Sequence, residues 1–342
     1  MDVILLLKYV ADVEHIPPDA WDLDRGTLRR RRLRMVANPL DDRALRVGRA
    51  VAGNTGATSV PDGTGGSPGS PGATPGSTGA PHGSTGANPG GQVIVLSMGP
   101  DAAERICRRS IAYGADEAVL LSDTAFSGAD TLATARTLTA AIRRITADLA
   151  LDRPLILAGM QSPDGDTAQV PAEVAALLGA PLIPYATGFE LPEDLPEGDT
   201  RALTVEAMSR RRRQRYRVDS GPIVITWTGL APALPFATTL DGFRRAATAE
   251  VRTWSAADLG LTERETGLAG SATQVKKIVS VPPSHSGGRV VTLAEHPDPP
   301  AAIGELAAFI AERASQSGDG APQNGDGARV APPTGGRSGG RS

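Results

Sequence analysis

A single cysteine, Cys107, stands in 342 residues. That excludes an internal disulfide framework and suits a reducing cytoplasm. Its context, Glu104-Arg-Ile-Cys-Arg-Arg109, admits a lowered thiol pKa, but the commoner role in such a run is filler on an amphipathic helix. Aromatic residues make up only 4% of the chain, which leaves few platforms for stacking bases. Neither sign of charge dominates: 35 Lys and Arg face 38 Asp and Glu, for a net charge of −3. With an isoelectric point near 5.9, bulk electrostatics gives no reason to expect nucleic acid. The four histidines (His15, His82, His285, His296) are scattered, two of them in low-complexity sequence, so no metal site is expected. No apolar stretch approaches a membrane span. The N-terminus runs straight into Val3-Ile-Leu-Leu-Leu7 without a cationic leader or cleavage site, so membrane insertion is not expected.

What is present is a 40% hydrophobic content, enough for one large core or two modest ones. The chain is organised around Gly159-Met-Gln-Ser-Pro-Asp-Gly-Asp-Thr-Ala-Gln-Val170. The apolar run Pro154–Ala158 precedes it. Apolar residues at Val170, Val174, Leu177 and Leu178 follow at the spacing of one helix face. Gly179 in a left-handed position and Pro181 end that helix. The pattern reads strand, Gly-rich loop, helix, a junction where backbone N–H groups and a helix N-terminus meet incoming anions. Gly159 and Gly165 are expected to supply positive φ and close backbone approach, with Thr167 and Gln169 as neutral hydrogen-bonding groups. Asp164 and Asp166 suit helix capping or ribose hydroxyls better than phosphate. A capped turn without a ligand remains the alternative.

In chain order, Val3–Lys8 reads as a strand buried on both faces. The polar stretch Asp12–Met35 carries Arg29–Arg32, a solvated hairpin face or an anion site. Asn38-Pro-Leu-Asp41 is a helix start, with Asn38 as N-cap, Pro39 at the first helical position and Asp41 in the first turn. If Asn38 lies near the Gly159 loop, its side chain also meets whatever that loop binds. Residues 53–91 are Gly, Ser, Thr, Pro and Ala, with too little apolar surface to offset ordering entropy. They read as a disordered insertion in a surface loop. Further strands are expected at 92–98, 118–122 and 181–186, and helices from 101 to 113 and from 131 to 149. Apolar runs alternating with helices predict an α/β fold, a doubly wound and mostly parallel sheet. Its ligand crevice lies off the carboxyl ends of the strands, where Lys8-Tyr9, Ser97–Gly99, Asp123–Asp130 and Gly159–Val170 converge.

From Leu203 the pattern turns β-rich. Leu203–Met208, Gln214–Val218 and Ile223–Trp227 are expected as an antiparallel extension, with the Arg210–Arg217 cluster at a solvated turn. Pro232 and Pro235 then lead to Thr239–Phe243, which presents Leu240 and Phe243 on a short exposed segment unless Leu240 tucks into the core. A helix is expected from Arg244. Ser255 and Asp258 in Trp254–Gly260 fit a capping box only loosely. These boundaries predict an α/β domain over 1–262, a C-terminal arm with one helix over 263–314, and a polar disordered tail over 315–342. An arm with so little core of its own implies a partner chain.

Several ordered stretches together resemble the β subunit of electron-transfer flavoprotein and its nitrogen-fixation-associated relatives. They are the Lys8 strand end, Asn38–Asp41, Val95–Pro100, Tyr113–Asp116, Gly128–Thr134, Asp164–Val170 and Trp254–Gly260. The resemblance implies an αβ heterodimer that carries FAD mainly on the α subunit. It implies a second adenine nucleotide, FAD or AMP, in this subunit. That nucleotide is held by Leu6, by Asn38, Pro39, Leu40 and Asp41, by Met98, by Asp130 and Thr131, and by Gly159, Met160, Gln161, Ser162, Pro163, Asp164, Gly165, Asp166, Thr167, Ala168, Gln169 and Val170. It further implies docking of acyl-CoA dehydrogenase-type donors through a loop with Leu240 at its tip, beside Phe243, and delivery to a quinone reductase or similar acceptor. Asp164–Val170 and Gly128–Thr134 are similar to the FAD-holding branch, some members of which bifurcate electrons from NADH. Pro171-Ala172 and Pro100-Asp101-Ala102 depart from that branch, the second in the loop associated with NADH. No residue reads as a general acid, base or nucleophile, as befits an electron carrier rather than an enzyme. A non-redox nucleotide-binding domain of the same fold is the competing reading, and an Arg-patch nucleic-acid binder a third.

Overall fold

The apolar run Val3–Leu6 forms β1, at the heart of a sheet in a computed structural model that describes residues 1–22, 27–28, 32–53, 59–60, 91–190, 203–209, 212–218, 221–228, 238–274 and 298–318. The expected 53–91 insertion and 315–342 tail lie mostly outside these residues. Within them, Ser59–Val60 forms β6, paired antiparallel with Phe189 and Glu190. β2 (Tyr9–Ala11) and β5 (Met35–Ala37) pair antiparallel at the neck of an excursion that carries β3 (Trp21–Asp22) and β4 (Thr27–Leu28). This is the expected hairpin. Arg32 at its base pairs with Asp19 at 2.8 Å, and Arg29–Arg31 lie outside the described residues.

Helix α1 (Pro39–Val51) begins as the sequence predicts, with the Asn38 side chain accepting from Leu40 N–H. Then follow β7 (Val93–Met98), α2 (Glu104–Ala112), β8 (Glu117–Leu121), α3 (Thr131–Asp148), β9 (Leu155–Gly159), α4 (Val170–Leu178) and β10 (Leu182–Glu190). After these come β11 (Leu203–Ser209), β12 (Arg212–Val218), β13 (Ile223–Trp227), α5 (Leu240–Thr248), β14 (Arg252–Trp254) and α6 (Pro299–Gly318). The ten-stranded sheet runs β12-β11-β10-β13-β9-β1-β7-β8-β14, with β6 also on β10. From β10 to β14 every neighbour is parallel; β11 and β6 run against the rest, and β12, antiparallel to β11, turns back to the direction of the core. The predicted α/β fold with a parallel sheet and an antiparallel extension is therefore present.

Side-chain alternation explains the two layers. Val3, Leu5, Val93, Val95, Leu155 and Leu157 pack with the apolar faces of α1 and α2. Ile4, Leu6, Ile94, Leu96, Ile156 and Ala158 pack with those of α3 and α4. Cys107 is buried in the first layer, and burial pushes its thiol up to about 12, the state of an inert filler.

Three expectations need correction. Ile223–Trp227 is not part of the antiparallel extension; β13 inserts parallel between β9 and β10. All five of its residues are buried, the mark of a strand covered on both faces, and sequence adjacency to the meander obscured this. The Arg cluster from Arg212 onward lies along the exposed edge strand β12 rather than at a turn, with Arg215 paired to Glu190 and Glu206. Such charge blunts an edge against further pairing. Helix α5 starts at Leu240, capped by Thr239 Oγ1 on Gly242 N–H at 3.0 Å, not at Arg244.

The chain divides into two compact units, Met1–Ile278 and Val279–Ser342. In the second, α6 spans the expected amphipathic helix and leaves Ile303, Leu306, Phe309 and Ile310 exposed. Among the described residues no helix is long and apolar enough to cross a membrane.

At the carboxyl edge one buried group ties neighbouring strands. Asp41 Oδ2 accepts from Lys8 N–H and Oδ1 from Gly159 N–H, each at 2.8 Å. Burial pushes this carboxyl up to about 7, against the pull of the two N–H groups and the Asn38 amide. Because the folded value lies above the ordinary 3.8, the protonated form is favoured by folding. The associated stability is fully present below 3.8 and is lost as pH rises through about 7. Denaturant unfolding should show stability falling across that window, and Asp41→Asn should flatten the slope. An unchanged slope in the variant would assign the titration elsewhere. Gly159 sits so close that a Cβ would lie 2.5 Å from Asp41 Oδ1 and 2.6 Å from Leu40 Cβ. Gly159→Ala should therefore cost about 1–3 kcal/mol of unfolding free energy by overpacking, read by the same titration. A loss of only a few tenths would mean the strand end yields freely.

Candidate functional site

A cleft of about 1360 Å³ opens at the carboxyl ends of β1, β7, β8 and β9. Its floor and walls come from segments far apart in sequence: Leu6–Lys8, Asn38 and Asp41, Met98–Asp101, Ser122–Thr124, Phe126–Thr131, Gly159–Ser162 with Gly165, Thr167–Pro171, and Ser255. This is where a doubly wound sheet leaves room for a ligand.

Asn38 and the Gly159 loop meet as the sequence allowed: Asn38 Nδ2 donates to Gln161 C=O at 2.9 Å. Lys8 Nζ donates to Ser162 Oγ at 2.9 Å and to Asp164 Oδ1 at 2.7 Å, which ties the loop to the end of β1. Burial raises the Asp164 pKa, but the Lys8 and Ser162 donors outweigh it and hold the carboxyl below its usual range. Asp164 is thus an ion-pair partner and not a helix cap.

The expected left-handed backbone at Gly159 and Gly165 is not there. Positive φ falls instead on Asp166 (+50°) and Ala168 (+54°). An alanine held so costs about 1–2 kcal/mol, a strain that gathers at functional loops. Ala168 is followed by right-handed Gln169 (φ −89°, ψ −39°). Such alternation points successive N–H groups the same way and forms an anion-accepting concavity. Helix α4 begins at that point with no side-chain cap, and Ala168, Gln169 and Val170 all line the cleft. Its positive end therefore faces the cleft. By contrast, α3 is capped by Asp130, whose Oδ1 accepts from Ala133 N–H at 2.9 Å. Thr131 Oγ1 bridges the two helix starts, donating to Glu173 Oε1 at 3.0 Å and lying 3.4 Å from Gln169 Oε1.

Of the residues named from sequence, Leu6, Asn38, Asp41, Met98, Asp130, Thr131, Gly159, Met160, Gln161, Ser162, Gly165, Thr167, Ala168, Gln169 and Val170 line the cleft. Pro39, Leu40, Pro163, Asp164 and Asp166 do not. Leu40 backs Gly159 from α1. Leu240 and Phe243 lie on α5, outside the cleft. Within the Asp123–Asp130 loop the sequence named Asp130 alone; Phe126, Ser127 and Gly128 stand in the wall as well. Ser255 was missed. Its loop is tied in by Asp123 Oδ2, which accepts from Ala256 N–H at 3.0 Å. The capping box expected to be loose is tight, with Ser255 Oγ 2.6 Å from Asp258 Oδ2 and Asp258 N–H returning to Ser255 Oγ at 3.2 Å. The Trp254–Gly260 motif was the available signal. Hydrogen bonds from Ala125 and Ala256 N–H hold Asp123 below its usual range. For Asp130, burial acts upward, and the N–H groups of Ala133 and Thr273 prevail to the same effect.

The electron transfer flavoprotein domain family matches residues 84–259. The chain is 31% identical over 278 residues to an electron transfer flavoprotein subunit beta of Clostridium acetobutylicum, covering 81% of this chain and 87% of that one. It is 37% identical over 206 residues to the caffeyl-CoA reductase-Etf complex subunit CarD of Acetobacterium woodii, covering 60% and 72%. Against protein FixA of Azotobacter vinelandii the identity is 34% over 227 residues, covering 64% and 74%. With a matching domain that spans every strand of the ten-stranded sheet except β1 and β6, and the Met98, Asp123–Asp130, Gly159 and Ser255 segments of the cleft, the chain belongs to the electron transfer flavoprotein family, among its β subunits and FixA proteins.

Proposed function

We propose that this chain is the β subunit of a heterodimeric electron transfer flavoprotein and that its cleft holds a second adenine nucleotide, FAD or AMP. FAD shared with an α partner takes up and releases electrons; every remaining task falls to protein groups. The carrying observation is the uncapped start of α4 beside the strained Ala168, which supplies N–H donors for a phosphate without a competing side chain. Thr167 and Lys8 stand on the same loop system, while Leu6, Met98, Phe126 and Val170 offer apolar surface to a base. The donor set suits a nucleotide. Asp130 and Asp123, their oxygens engaged by protein donors, orient the wall and do not reach for ribose. The cleft's volume leaves room for FAD as well as AMP.

The donor of electrons is an acyl-CoA dehydrogenase-type flavoenzyme, and the acceptor a quinone reductase or similar protein. The relative from Acetobacterium woodii, named as part of a caffeyl-CoA reductase complex, supports a CoA-thioester enzyme as partner. Docking falls to α5. Gly242 lies so close to α2 that a Cβ would meet Ala112 C=O at 2.5 Å, and Ala246 is buried. The small residues therefore face inward and turn Leu240 and Phe243 out, 67% and 58% exposed. That exposure supports docking through Leu240 over a place in the core.

Co-purification with the α subunit and a visible spectrum with nucleotide extraction test the reading. Two FAD, or one FAD and one AMP, per heterodimer are expected, and a colourless complex without nucleotide would overturn it. Thr167→Ala with Gln169→Ala should release the second nucleotide and leave the heterodimer intact. Full retention with a slightly lower melting temperature would reduce these residues to helix support. Leu240→Ala should slow electron transfer from the dehydrogenase about tenfold or more, as interface anchors do, with melting temperature and flavin content unchanged. A fall in melting temperature with unaltered transfer would place docking elsewhere.

A further inference from the structure

Residues 266–273, at the root of the C-terminal arm, lie against the outer side of the loop that walls the cleft. Leu268 N–H donates to Ser127 C=O at 3.0 Å. Arg136 Nη1 donates to Gly270 C=O at 3.1 Å. Gly267 has φ +53°, and a Cβ there would fall 2.2 Å from Ala125 C=O, so the two backbones touch with no room for a side chain. Three further hydrogen bonds pass through one residue. Asp130 N–H donates to Ser271 Oγ at 2.8 Å, and Asp130 Oδ2 accepts from Thr273 N–H at 2.8 Å and Thr273 Oγ1 at 3.0 Å. Its other oxygen caps α3 through Ala133.

Asp130 lines the cleft, as do Ser127, Gly128, Thr131 and Thr134 around it, whereas none of residues 266–273 does. One carboxylate is thus held from two sides. Its rotamer, and with it the first turn of α3, is set by the strap as much as by the helix. Without the two hydroxyls, Asp130 N–H loses its acceptor Ser271 Oγ and Oδ2 loses the Thr273 Oγ1 donor, keeping only backbone donors; the carboxylate is held less firmly, and so is the wall that a ligand meets.

We propose that Ser271 and Thr273, outside the cleft, are positioning residues for the adenine nucleotide, coupling its binding to attachment of the 266–273 strap through Asp130. This rests on the nucleotide reading above. Linkage makes the effect reciprocal: a ligand that prefers the held wall tightens the strap, and loosening the strap weakens the ligand by the same factor.

The test uses the full chain freed of nucleotide, with AMP as the probe and FAD as a second one. Calorimetry gives the affinity, and amide hydrogen exchange with and without AMP gives the opening of 266–273. AMP should slow exchange across these residues. Ser271→Ala with Thr273→Val should weaken AMP by about fivefold or more, with little change in melting temperature, and Thr273→Ser, which keeps the donating hydroxyl, should bind as the unmodified chain does. Exchange that saturating AMP leaves unaltered overturns the coupling whatever the variants do. So does a double variant that binds AMP within about twofold of the unmodified chain, a difference too small for a coupled site. An unmodified chain that binds neither AMP nor FAD defeats the nucleotide reading itself, and the coupling with it, before any substitution is made.

Discussion

The buried carboxylate of Asp41 governs the geometry of this molecule's working face. Its two oxygens take the N–H groups of Lys8 and Gly159, the second residue beyond β1 and the last of β9, two strands that lie side by side. Adjacent parallel strands splay at their ends unless something holds them, and here the holder is the first turn of a helix that packs on both. An amide offers one oxygen where two donors arrive at different positions, whereas a carboxyl presents two, so a carboxyl is the side chain that satisfies the site. Burying it costs stability. That cost is tolerated at the strand ends where the loops of the cleft depart.

Two kinds of acid then separate. Asp123, Asp130 and Asp164 sit in or beside the cleft, yet protein donors engage their oxygens. They are struts, and they neutralise or orient neighbouring groups before a ligand arrives. The groups left open to an anion are backbone N–H groups at α4, where the helix is uncapped and Ala168 is held in left-handed strain. On the proposed reading phosphate is recognised by backbone in a chain with nearly balanced charge, so neither composition nor net charge points to a ligand.

The same economy of small residues shapes the outer surface. Gly242 and Ala246 let α5 approach α2, where Arg245 Nη2 reaches Ile111 C=O at 3.0 Å and Arg108 Nη1 reaches Ala246 and Ala249 C=O, both at 3.0 Å. Once that face is committed inward, Leu240 and Phe243 have only the outside left to them.

The sequence by itself determined the elements whose causes are local. Asn38-Pro39 starts α1 because cap and fixed φ act within one turn, and Gly179 ends α4 in the left-handed conformation it was expected to take. Alternating apolar runs were enough to name a doubly wound sheet, and the ordered motifs were enough to name the family. Tertiary structure decided what depends on residues far apart in the chain. That β13 joins the parallel core, that Asp164 meets Lys8, that Ser255 closes the wall and that Asp41 binds two strand ends across 33 and 118 positions are not written in any local pattern. The placement of positive φ at Asp166 and Ala168 instead of the neighbouring glycines has the same origin. The loop is tied to Lys8 at Ser162 and Asp164 and runs on into α4, and its positive φ falls between those attachments, on Asp166 and Ala168 and not on Gly165.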